Sequence, residues 1–459
     1  MPYVEWRGNK CRVRWDTGQI NPDTGKKIYD GKSGFTDEDE AYKYGLDRES
    51  DVRNDRYISR RDGSVLMKEY CRTWLDTLDV GHLREKTVRS IIRLYILPRW
   101  GETAVGDIKA SAYKAWRKQV KTLPHVGDRY ASDILGVFSM LMDDAVDDEL
   151  RTSSPVPRKR RRGRYKKKPR EKKREMHIKD VHQLACNALI MWGFTGFVFI
   201  WTMACTGMRP AELYSLRRDF CHPNWPASDP DPDRRAEATA RYISADPMPA
   251  LRVEDQHQRE GGNGAPKRFP PKYESHRDLV IPPFLAELLE MLLDSHTSEL
   301  VFPSIEMSPL ASVNFSYSYW RPIADGRPAK ETFTRVRLGQ HQTVKYHRPL
   351  PGIPATPYAG KRLYLLRHGH KEWLDEDGHS RIATETRMGH ELAGVEGLYA
   401  NVTITMERSI IQTLQDRWVK FIANVDPNDL PASPSPLPVD LREWLTAQIN
   451  AATGRHASN

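Results

Sequence analysis

Two arginines, a histidine and a tyrosine in the second half of the chain have side chains that could act together on a phosphate ester. Arg209 lies in one short polar segment and Arg367 in a second, and a third segment joins His390 to Tyr399 nine positions later. Guanidinium groups hold phosphate oxygens with forked donors, and a phenol can serve as a nucleophile. Each segment alone is a weak signal, because a tyrosine at helical spacing from apolar residues is usually part of a core. Together, in one pocket, these groups could cut a phosphodiester without a metal.

The charge of the chain favours a polyanionic partner, most often nucleic acid. The 459 residues contain 71 Lys and Arg against 61 Asp and Glu, a formal net charge of +10. Most of the excess lies in residues 158–174, where thirteen positions are Lys or Arg and one is Glu. Such a segment cannot form a packed core, so we interpret residues 153–176 as an interdomain linker. It could be merely solvated, but we favour contact with a DNA backbone through residues such as Arg160, Arg161 and Lys167.

Composition argues against several other classes of protein. A mean hydropathy of −0.66 and 29% charged residues indicate a soluble chain, and the N-terminus lacks a signal-peptide pattern. The five cysteines form no C-x-x-C pair, which favours reduced thiols over disulfides or a zinc site. Residues 184–208 are uncharged and long enough to span a membrane, but Asn187, Gly193 and Gly196 interrupt them. We therefore predict two buried helices joined near residues 193–196, no membrane partner and a cytoplasmic location.

Residues 1–60 are expected to form a β-β-β-α unit. Strands are predicted over residues 3–6, 11–15 and 27–29. Thr36 is placed to cap the helix that follows, since its hydroxyl can accept from free amides. Basic side chains, Arg12 and Arg14 among them, are interleaved with tryptophans in the predicted sheet. This surface could bind DNA, and an ordinary solvated sheet face explains the pattern equally well.

Residues 64–152 show the apolar spacing of a compact four-helix domain. The helices are expected over residues 65–78, 87–97, 111–120 and 128–146. Pro98 and Gly101 are expected to end the second of them. Basic residues, including Lys86 and Arg89, decorate this domain. Their placement is compatible with a side that faces phosphates.

Residues 177–425 form the largest predicted domain, an α+β unit that contains all three polar segments. Strands are expected over residues 242–244, 251–254 and 278–281, with a Gly-rich insertion at 261–264. Helices are expected over residues 178–189, 211–216, 284–293, 363–374, 382–388, 394–401 and 406–421. Residues 304–360 show no readable pattern. Residues 426–459 form a Pro-rich tail ending in a helix over 441–449, which we expect to dock on a neighbouring copy.

Taken in order, these segments resemble the tyrosine recombinases, specifically the phage-type and integrative-element integrases. Residues 206–216 match the family's T-G-x-R-x-x-E-L-x-x-L box around its first arginine. A second box, H-x-x-R-H, is matched in part, with Tyr364 at the position usually held by His or Lys. Residues 388–390 followed by Tyr399 match the third box, and Lys272 best matches the family lysine. The resemblance covers nearly the whole chain.

This resemblance implies a fold class and a set of partners. The fold would be multidomain and mainly α with small β-sheets: an arm-binding-like domain at 1–60, a SAM-like core-binding domain at 64–152 and a catalytic domain at 177–425. The partners would be double-stranded DNA at attachment sites and further copies of the chain, forming a homotetramer on synapsed sites. A directionality factor, a host DNA-bending protein and a place in the bacterial nucleoid are also implied. No cofactor and no metal are implied.

The resemblance also implies a role for each site residue. Tyr399 would attack phosphorus and form a 3′-phosphotyrosine link. Arg209, Arg367 and His390 would hold the non-bridging oxygens, on which negative charge develops. Lys272 would protonate the leaving 5′-oxygen, which otherwise departs as a poor alkoxide. The expected function is therefore the cutting and rejoining of DNA strands to integrate or excise a mobile element.

Tyr364 leaves the identity of the proton acceptor open, because a phenol with an unperturbed pKa of about 10 is a poor base near neutral pH. His368 or His390 could take that role, or activation by the arginines could replace it. Glu212 and Asp219 are expected to brace the first arginine rather than to react. Two other interpretations stay open: a type IB topoisomerase-like enzyme that nicks and religates, and a DNA-binding regulator with an impaired site.

Overall fold

The structure, a computed structural model, describes residues 1–54, 57–59, 62–157, 175–243, 246–259, 265–310, 315–337, 340–391, 401–429 and 441–454. The chain divides into two compact units, Met1–Lys168 and Pro169–Asn459. Helices make up most of the regular structure, and the described sheets are small and antiparallel. The predicted class, a multidomain and mainly α fold with small β-sheets, is confirmed.

The first unit begins with a three-stranded antiparallel sheet and a helix, the predicted β-β-β-α order. The elements are β1 (Tyr3–Arg7), β2 (Lys10–Ile20), β3 (Lys27–Phe35) and α1 (Glu38–Arg53), with β2 in the centre of the sheet. Alternate residues of β2, namely Cys11, Val13 and Trp15, are buried and form a small core with Ala41 of α1. The period of two along β2 therefore decides which face of the sheet packs on the helix.

The cap of α1 differs from the prediction. Asp37, not Thr36, is the N-cap residue, and its carboxylate accepts from Asp39 N at 3.0 Å. Its backbone is extended (φ −127°, ψ 131°), as an N-cap requires. An ionised carboxylate also suits the positive end of the helix dipole, so Asp37 satisfies the free amides better than a neutral hydroxyl.

The rest of the first unit is helical. Its elements are α2 (Met67–Asp76), α3 (His82–Ile91), a π-helical stretch (Ile92–Ile96), α4 (Leu97–Trp100), α5 (Ala110–Thr122) and α6 (Asp128–Asp147). Aromatic rings fill the centre: Trp100 packs edge-on to Trp116 at 6.0 Å between centroids, and both contact Phe138. The helical path continues past Pro98 to Trp100 and is capped by Gly101, so the predicted end at Gly101 is confirmed and the predicted end at Pro98 was wrong. Pro98 lies in the first turn of α4, where its missing N–H is not needed.

The second unit begins with two helices, α7 (Ile178–Trp192) and α8 (Phe194–Thr206), joined at Gly193 with φ 72°. Both pack into the core of the unit, and every residue of α8 but Thr195 is buried. The prediction of two buried helices in place of one long apolar segment is thus confirmed. Among the residues that the structure describes, no helix is long and apolar enough to cross a membrane.

Short elements follow: α9 (Pro210–Ser215), α10 (Pro232–Tyr242), β4 (Ala250–Val253), β5 (Gln256–Gln258), β6 (Lys267–Phe269), β7 (Arg277–Val280) and α11 (Pro283–Asp294). Strand β4 pairs with β7, and β5 pairs with β6, both antiparallel. The strand predicted over residues 242–244 was wrong at Tyr242, which ends α10, and residue 244 lies outside the described residues. Asp231 starts that helix by accepting from the amides of Asp233 and Arg234.

The segment without a readable pattern contains a π-helical stretch (Ser316–Trp320), α12 (Arg321–Asp325) and a hairpin of β8 (Lys330–Arg337) and β9 (Gln340–Leu350). Three helices follow, α13 (Leu365–Glu376), α14 (Arg381–Met388) and α15 (Ile404–Ile422). The helix predicted over residues 394–401 falls almost wholly outside the described residues, and the Gly-rich insertion at 261–264 lies outside them entirely.

The last helix, α16 (Leu441–Thr453), packs on the core of the second unit, and its docking on a neighbouring copy stays a prediction. Leu441 and Leu445 are buried in the core of the second unit. Trp444 Nε1 donates to Glu287 of α11 at 2.8 Å. An amphipathic helix is stabilised by burying its apolar face, and Leu441 and Leu445 do so here.

Candidate active site

The site is built around the C-terminal ends of α8 and α14. Each helix ends in a left-handed glycine, Gly207 with φ 63° and Gly389 with φ 64°. Neither position has room for a side chain: a Cβ would lie 2.5 Å from His370 Cδ2 at Gly207 and 2.9 Å from Arg277 Nη1 at Gly389. The last carbonyls of a helix lack partners within it and carry the negative end of its dipole. Two such ends in one place attract cations.

Arg367 bonds to carbonyls at both helix ends, and Arg209 bonds to a carbonyl at the end of α14. Arg367, on α13, donates to the carbonyl of Gly207 at 2.6 Å and to that of Met388. Arg209, just before α9, donates from Nη2 to the carbonyl of Gly389 at 2.9 Å. The structure therefore brings together the two arginines that the sequence singled out, although 158 positions separate them.

Glu212 braces the first arginine, as expected. Its Oε2 accepts from Arg209 N at 2.8 Å and its Oε1 from Arg209 Nη1 at 2.6 Å. Burial raises the pKa of Glu212, but the guanidinium groups of Arg277 and Arg209 outweigh it and leave the pKa below its ordinary value. Asp219 lies elsewhere, in the turn Arg218–Phe220, where its carbonyl accepts from Ser228 Oγ. Glu212 is thus the carboxylate that bonds to Arg209.

Two further arginines belong to the site and were missed in the sequence. Arg277, at the start of β7, donates to Glu212 Oε2 at 2.8 Å and to the carbonyl of Arg387 at 2.9 Å. Arg387, on α14, donates to the carbonyl of Cys205 at 2.8 Å, and burial lowers the pKa of Arg387 to about 10. The available signal for Arg277 was its place directly before the strand predicted over residues 278–281. Buried arginines of this kind need paired acceptors.

His370 was also missed, and it holds Arg387 in place. Its Nδ1 lies 2.9 Å from the carbonyl of Ala204, and Arg387 Nε donates to its Nε2 at 3.0 Å. Full burial, and then the charge of Arg387, keep the pKa of His370 well below its ordinary value. His370 is therefore neutral, with its hydrogen on Nδ1. It joins α13 to the ends of α8 and α14 and does not face solvent.

Lys272 lies in the turn Lys272–Glu274 between β6 and β7. Ser275 Oγ donates to the carbonyl of Lys272 at 3.0 Å and accepts from Arg209 Nη1 at 3.0 Å. One hydroxyl thus connects the backbone of the turn to the first arginine. The side chain of Lys272 is exposed, and its ammonium lies 4.7 Å from the ring centroid of Tyr273.

Tyr364 and His390 lie at the solvent edge of the site. Tyr364 directly precedes α13, is 38% exposed and has its ring centroid 5.9 Å from Arg367 Cζ. His390 Nε2 lies 3.1 Å from Arg367 Nη2, and the imidazole is 41% exposed. Arg367 itself is 1% exposed, and burial lowers its pKa to about 10. The edge is therefore polar and open, with a fixed cation beneath it.

Arginines outnumber carboxylates at this site. Among the residues that the structure describes, the four arginines are Arg209, Arg277, Arg367 and Arg387, and the carboxylates bonded within the cluster are Glu212 and Glu385. The excess of positive charge, next to helix ends already occupied by guanidinium groups, suits a ligand with anionic oxygens. Tyr399 lies outside the described residues.

The residues predicted to contact DNA lie in several places. Arg12 and Arg14 lie on the face of β2 opposite its buried residues, and Arg14 Nη1 donates to Tyr3 Oη at 3.0 Å. Lys86 and Arg89 lie on α3, where Arg89 pairs with Glu85 at 2.7 Å. The linker candidates Arg160, Arg161 and Lys167 lie outside the described residues.

No protein-family model matches the chain, and no curated protein sequence matches it. Several solved structures are similar in fold. One is a lambda integrase dimer bound to a COC′ core site, 13% identical, covering 87% of this chain and 94% of that chain with a TM-score of 0.44. Another is a lambda integrase tetramer bound to a Holliday junction, 12% identical over the same shares with a TM-score of 0.46. A third is the Tn1549 transposon integrase with circular intermediate DNA, 14% identical, covering 75% and 97% with a TM-score of 0.46.

Proposed function

We propose that the protein is a tyrosine recombinase, an integrase that cuts and rejoins DNA strands to integrate or excise a mobile element. The observation that carries this proposal is the convergence of Arg209, Arg367 and His390 at one open, cationic site. These three residues come from the three sequence segments that resemble the family boxes. An ordinary surface arginine is solvated or salt-bridged, whereas Arg367 is buried with its charge directed at helix ends and the site edge.

The proposed chemistry follows from the charges at the site. A bound phosphodiester would accept hydrogen bonds from the guanidinium groups of Arg209 and Arg367. Its oxygens would replace some of the backbone carbonyls that accept from these groups in the structure. Tyr399 attacks phosphorus, which forms a 3′-phosphotyrosine link and breaks the bond to the 5′-oxygen. Lys272 supplies the proton that the 5′-oxygen needs as it leaves. Each preorganised donor is worth about 3–4 kcal/mol of transition-state stabilisation. The bond energy stays in the phosphotyrosine link, so the proposal requires neither a metal nor a cofactor.

The remaining parts of the chain are assigned to DNA binding. The sheet of residues 1–60 would bind arm-type sites through Arg12 and Arg14, and the helices of residues 64–152 would bind core sites through Lys86 and Arg89. The basic run within residues 153–176 would follow the DNA backbone. We further propose that four copies act on two synapsed attachment sites in the bacterial nucleoid, aided by a directionality factor and a host DNA-bending protein.

The test is a suicide half-site, a duplex nicked so that the cleaved end diffuses away and the covalent intermediate accumulates. Wild-type protein should form an adduct that survives denaturation and disappears on protease treatment. The variant Tyr399→Phe should form none, whereas Tyr317→Phe, at an exposed tyrosine, should react like wild type.

Assays of religation and strand joining on intact duplex DNA, together with the half-site, separate the other interpretations. Adduct with nicking and religation, but no joining of two sites, would indicate a topoisomerase-like enzyme. Tight binding to an attachment site without any adduct would indicate a regulator with an impaired site, as Tyr364 allows. Either outcome would overturn the proposed function.

A further inference from the structure

Glu385 belongs to the site through His390, although no sequence motif singles it out. It lies in the last turn of α14, and its Oε2 is 2.6 Å from His390 Nδ1. Its carbonyl accepts from His390 N at 3.0 Å, and the carbonyl of Thr386 accepts from Gly389 N at 2.9 Å. These two bonds form a Schellman motif, which folds the residue after the glycine back over the helix end. The helix terminus therefore sets the carboxylate against the imidazole.

The carboxylate is itself fixed from the other side. Lys371, on α13, donates to Glu385 Oε1. Burial raises the pKa of Glu385, and the hydrogen bonds from Lys371 and His390 more than offset this, so the pKa lies below its ordinary value. Glu385 is therefore ionised, with one oxygen held by an ammonium and the other directed at a single ring nitrogen.

The two nitrogens of His390 face partners of opposite kinds. An ionised carboxylate only accepts, so the nitrogen next to Glu385, Nδ1, carries a hydrogen. A guanidinium only donates, so the nitrogen 3.1 Å from Arg367 Nη2, which is Nε2, presents its lone pair. These contacts place a hydrogen on Nδ1 and none on Nε2. In this form Nε2 can accept a proton at the open edge of the site once a bound phosphate oxygen takes the Arg367 N–H that bonds to it here.

We propose that Glu385 is a positioning residue that holds His390 with Nε2 unprotonated, so that His390 is the proton acceptor for the tyrosine. The inference rests on the proposed function and answers the question raised by Tyr364, which replaces the usual basic residue. The bond between Tyr399 Oη and phosphorus forms as the phenolic proton moves to Nε2. The bond to the 5′-oxygen breaks, and that oxygen takes a proton from Lys272.

Glu385 then stabilises the imidazolium that has formed, as a carboxylate does for a catalytic histidine. Rejoining reverses each transfer. The 5′-hydroxyl attacks phosphorus and returns its proton to the lysine, while the proton on Nε2 returns to the departing phenolate. Protons and charges therefore balance over a complete cycle.

The kinetic test is Glu385→Gln, which keeps the shape and removes the charge. Its amide can offer N–H to Nδ1 and so favour the other tautomer. We expect the single-turnover rate of adduct formation to fall about 100-fold. A loss of this size is at the upper end of what removing the hydrogen-bond partner of a metal-liganding residue costs, and it is smaller than the loss when the carboxylate of a Ser-His-Asp triad is replaced. DNA affinity should change less than about twofold, because the two carboxylate oxygens of Glu385 bond to Lys371 and His390. The control Glu391→Gln removes the same charge from an exposed position next to His390 and should keep the wild-type rate.

A second set of variants separates positioning from a general structural role. If Glu385 acts through His390, adding Glu385→Gln to His390→Ala should slow the residual reaction by less than about twofold. A further loss near 100-fold in that background would overturn the inference. An unchanged rate in Glu385→Gln alone would also overturn it.

A spectroscopic measurement does not depend on activity. Long-range ¹H–¹⁵N spectra of protein labelled in histidine distinguish protonated from unprotonated ring nitrogens, and His390→Ala identifies the signals of His390. We expect a hydrogen on Nδ1 in the wild type and a shift towards Nε2 in Glu385→Ala. A wild-type His390 protonated on Nε2 would refute the inference. If the wild type forms no adduct, the proposed function fails, and the spectrum still decides whether Glu385 sets the tautomer.

Discussion

The buried ion pair between Arg277 and Glu212 should support both stability and the shape of the site. Arg277 donates to Glu212 at 2.8 and 3.2 Å, to the carbonyl of Arg387 at 2.9 Å and to that of Ser275 at 3.0 Å. The substitution Arg277→Met keeps most of the length and removes all four bonds. It leaves the carboxylate buried with one cation, Arg209, in place of two.

The expected cost is large because the pair is out of water. Breaking one side of a buried ion pair costs about 3–5 kcal/mol. At about 2 °C per kcal/mol for a unit of this size, calorimetry of the full chain should show a midpoint about 6–10 °C lower. The matched control is Arg268→Met, which breaks a pair of similar length, 2.6 Å to Glu299, on the surface. Surface pairs contribute about 0–1 kcal/mol, so this variant should shift the midpoint by less than about 2 °C.

The pH dependence follows from the lowered pKa of Glu212. Burial alone would raise that pKa, and Arg277 followed by Arg209 lowers it overall. The contribution of such a carboxyl is fully present above its unfolded pKa of about 4.3 and is lost as the pH falls through the folded pKa. The difference between wild type and Arg277→Met should therefore be largest near neutral pH and shrink in acid. Equal shifts for the two variants, or a difference that grows in acid, would refute this reasoning.

Two further predictions concern the helix end and the linker. Gly389→Ala forces a left-handed alanine and a Cβ 2.9 Å from the guanidinium beneath it, so we expect a loss of about 1–2 kcal/mol and at least tenfold slower adduct formation. In the control Gly378→Ala, φ is 73° and the new Cβ would have no atom within 4 Å, so this substitution adds only backbone strain. We expect normal adduct formation in Gly378→Ala and slow adduct formation in Gly389→Ala. Replacing Arg160, Arg161 and Lys167 by Ala should reduce the slope of log K against log salt by about 2.7, equally for all DNA sequences. An unchanged slope would show that these residues do not contact phosphates.

Much of the fold follows from local patterns that the sequence displays. Period-two burial along β2 and the apolar spacing of α6 and α11 predict elements that the structure contains, because side chains on one face of a strand or helix must be buried together. The predictions that were wrong concern positions where the local sequence favours two residues, or two kinds of element, about equally. Asp37 replaces its neighbour as a cap, and the helix that Asp231 begins runs on to Tyr242. The hairpin of β8 and β9 lacked any clear pattern in advance.

For the site, the sequence by itself determined which chemical groups are available. Arg209, Arg367 and His390 were identifiable because each sits in a short segment whose residue types and spacing are specific. Only the tertiary structure decided which atoms form hydrogen bonds with those groups. The brace from Arg277 to Glu212 joins positions 65 residues apart, and the carbonyls that the two arginines bond belong to helix ends distant in sequence. Hydrogen-bond partners across such separations depend on where two helices stop and how they pack. Periodicity within either helix carries no information about that contact, so the contact could not be predicted from the sequence alone.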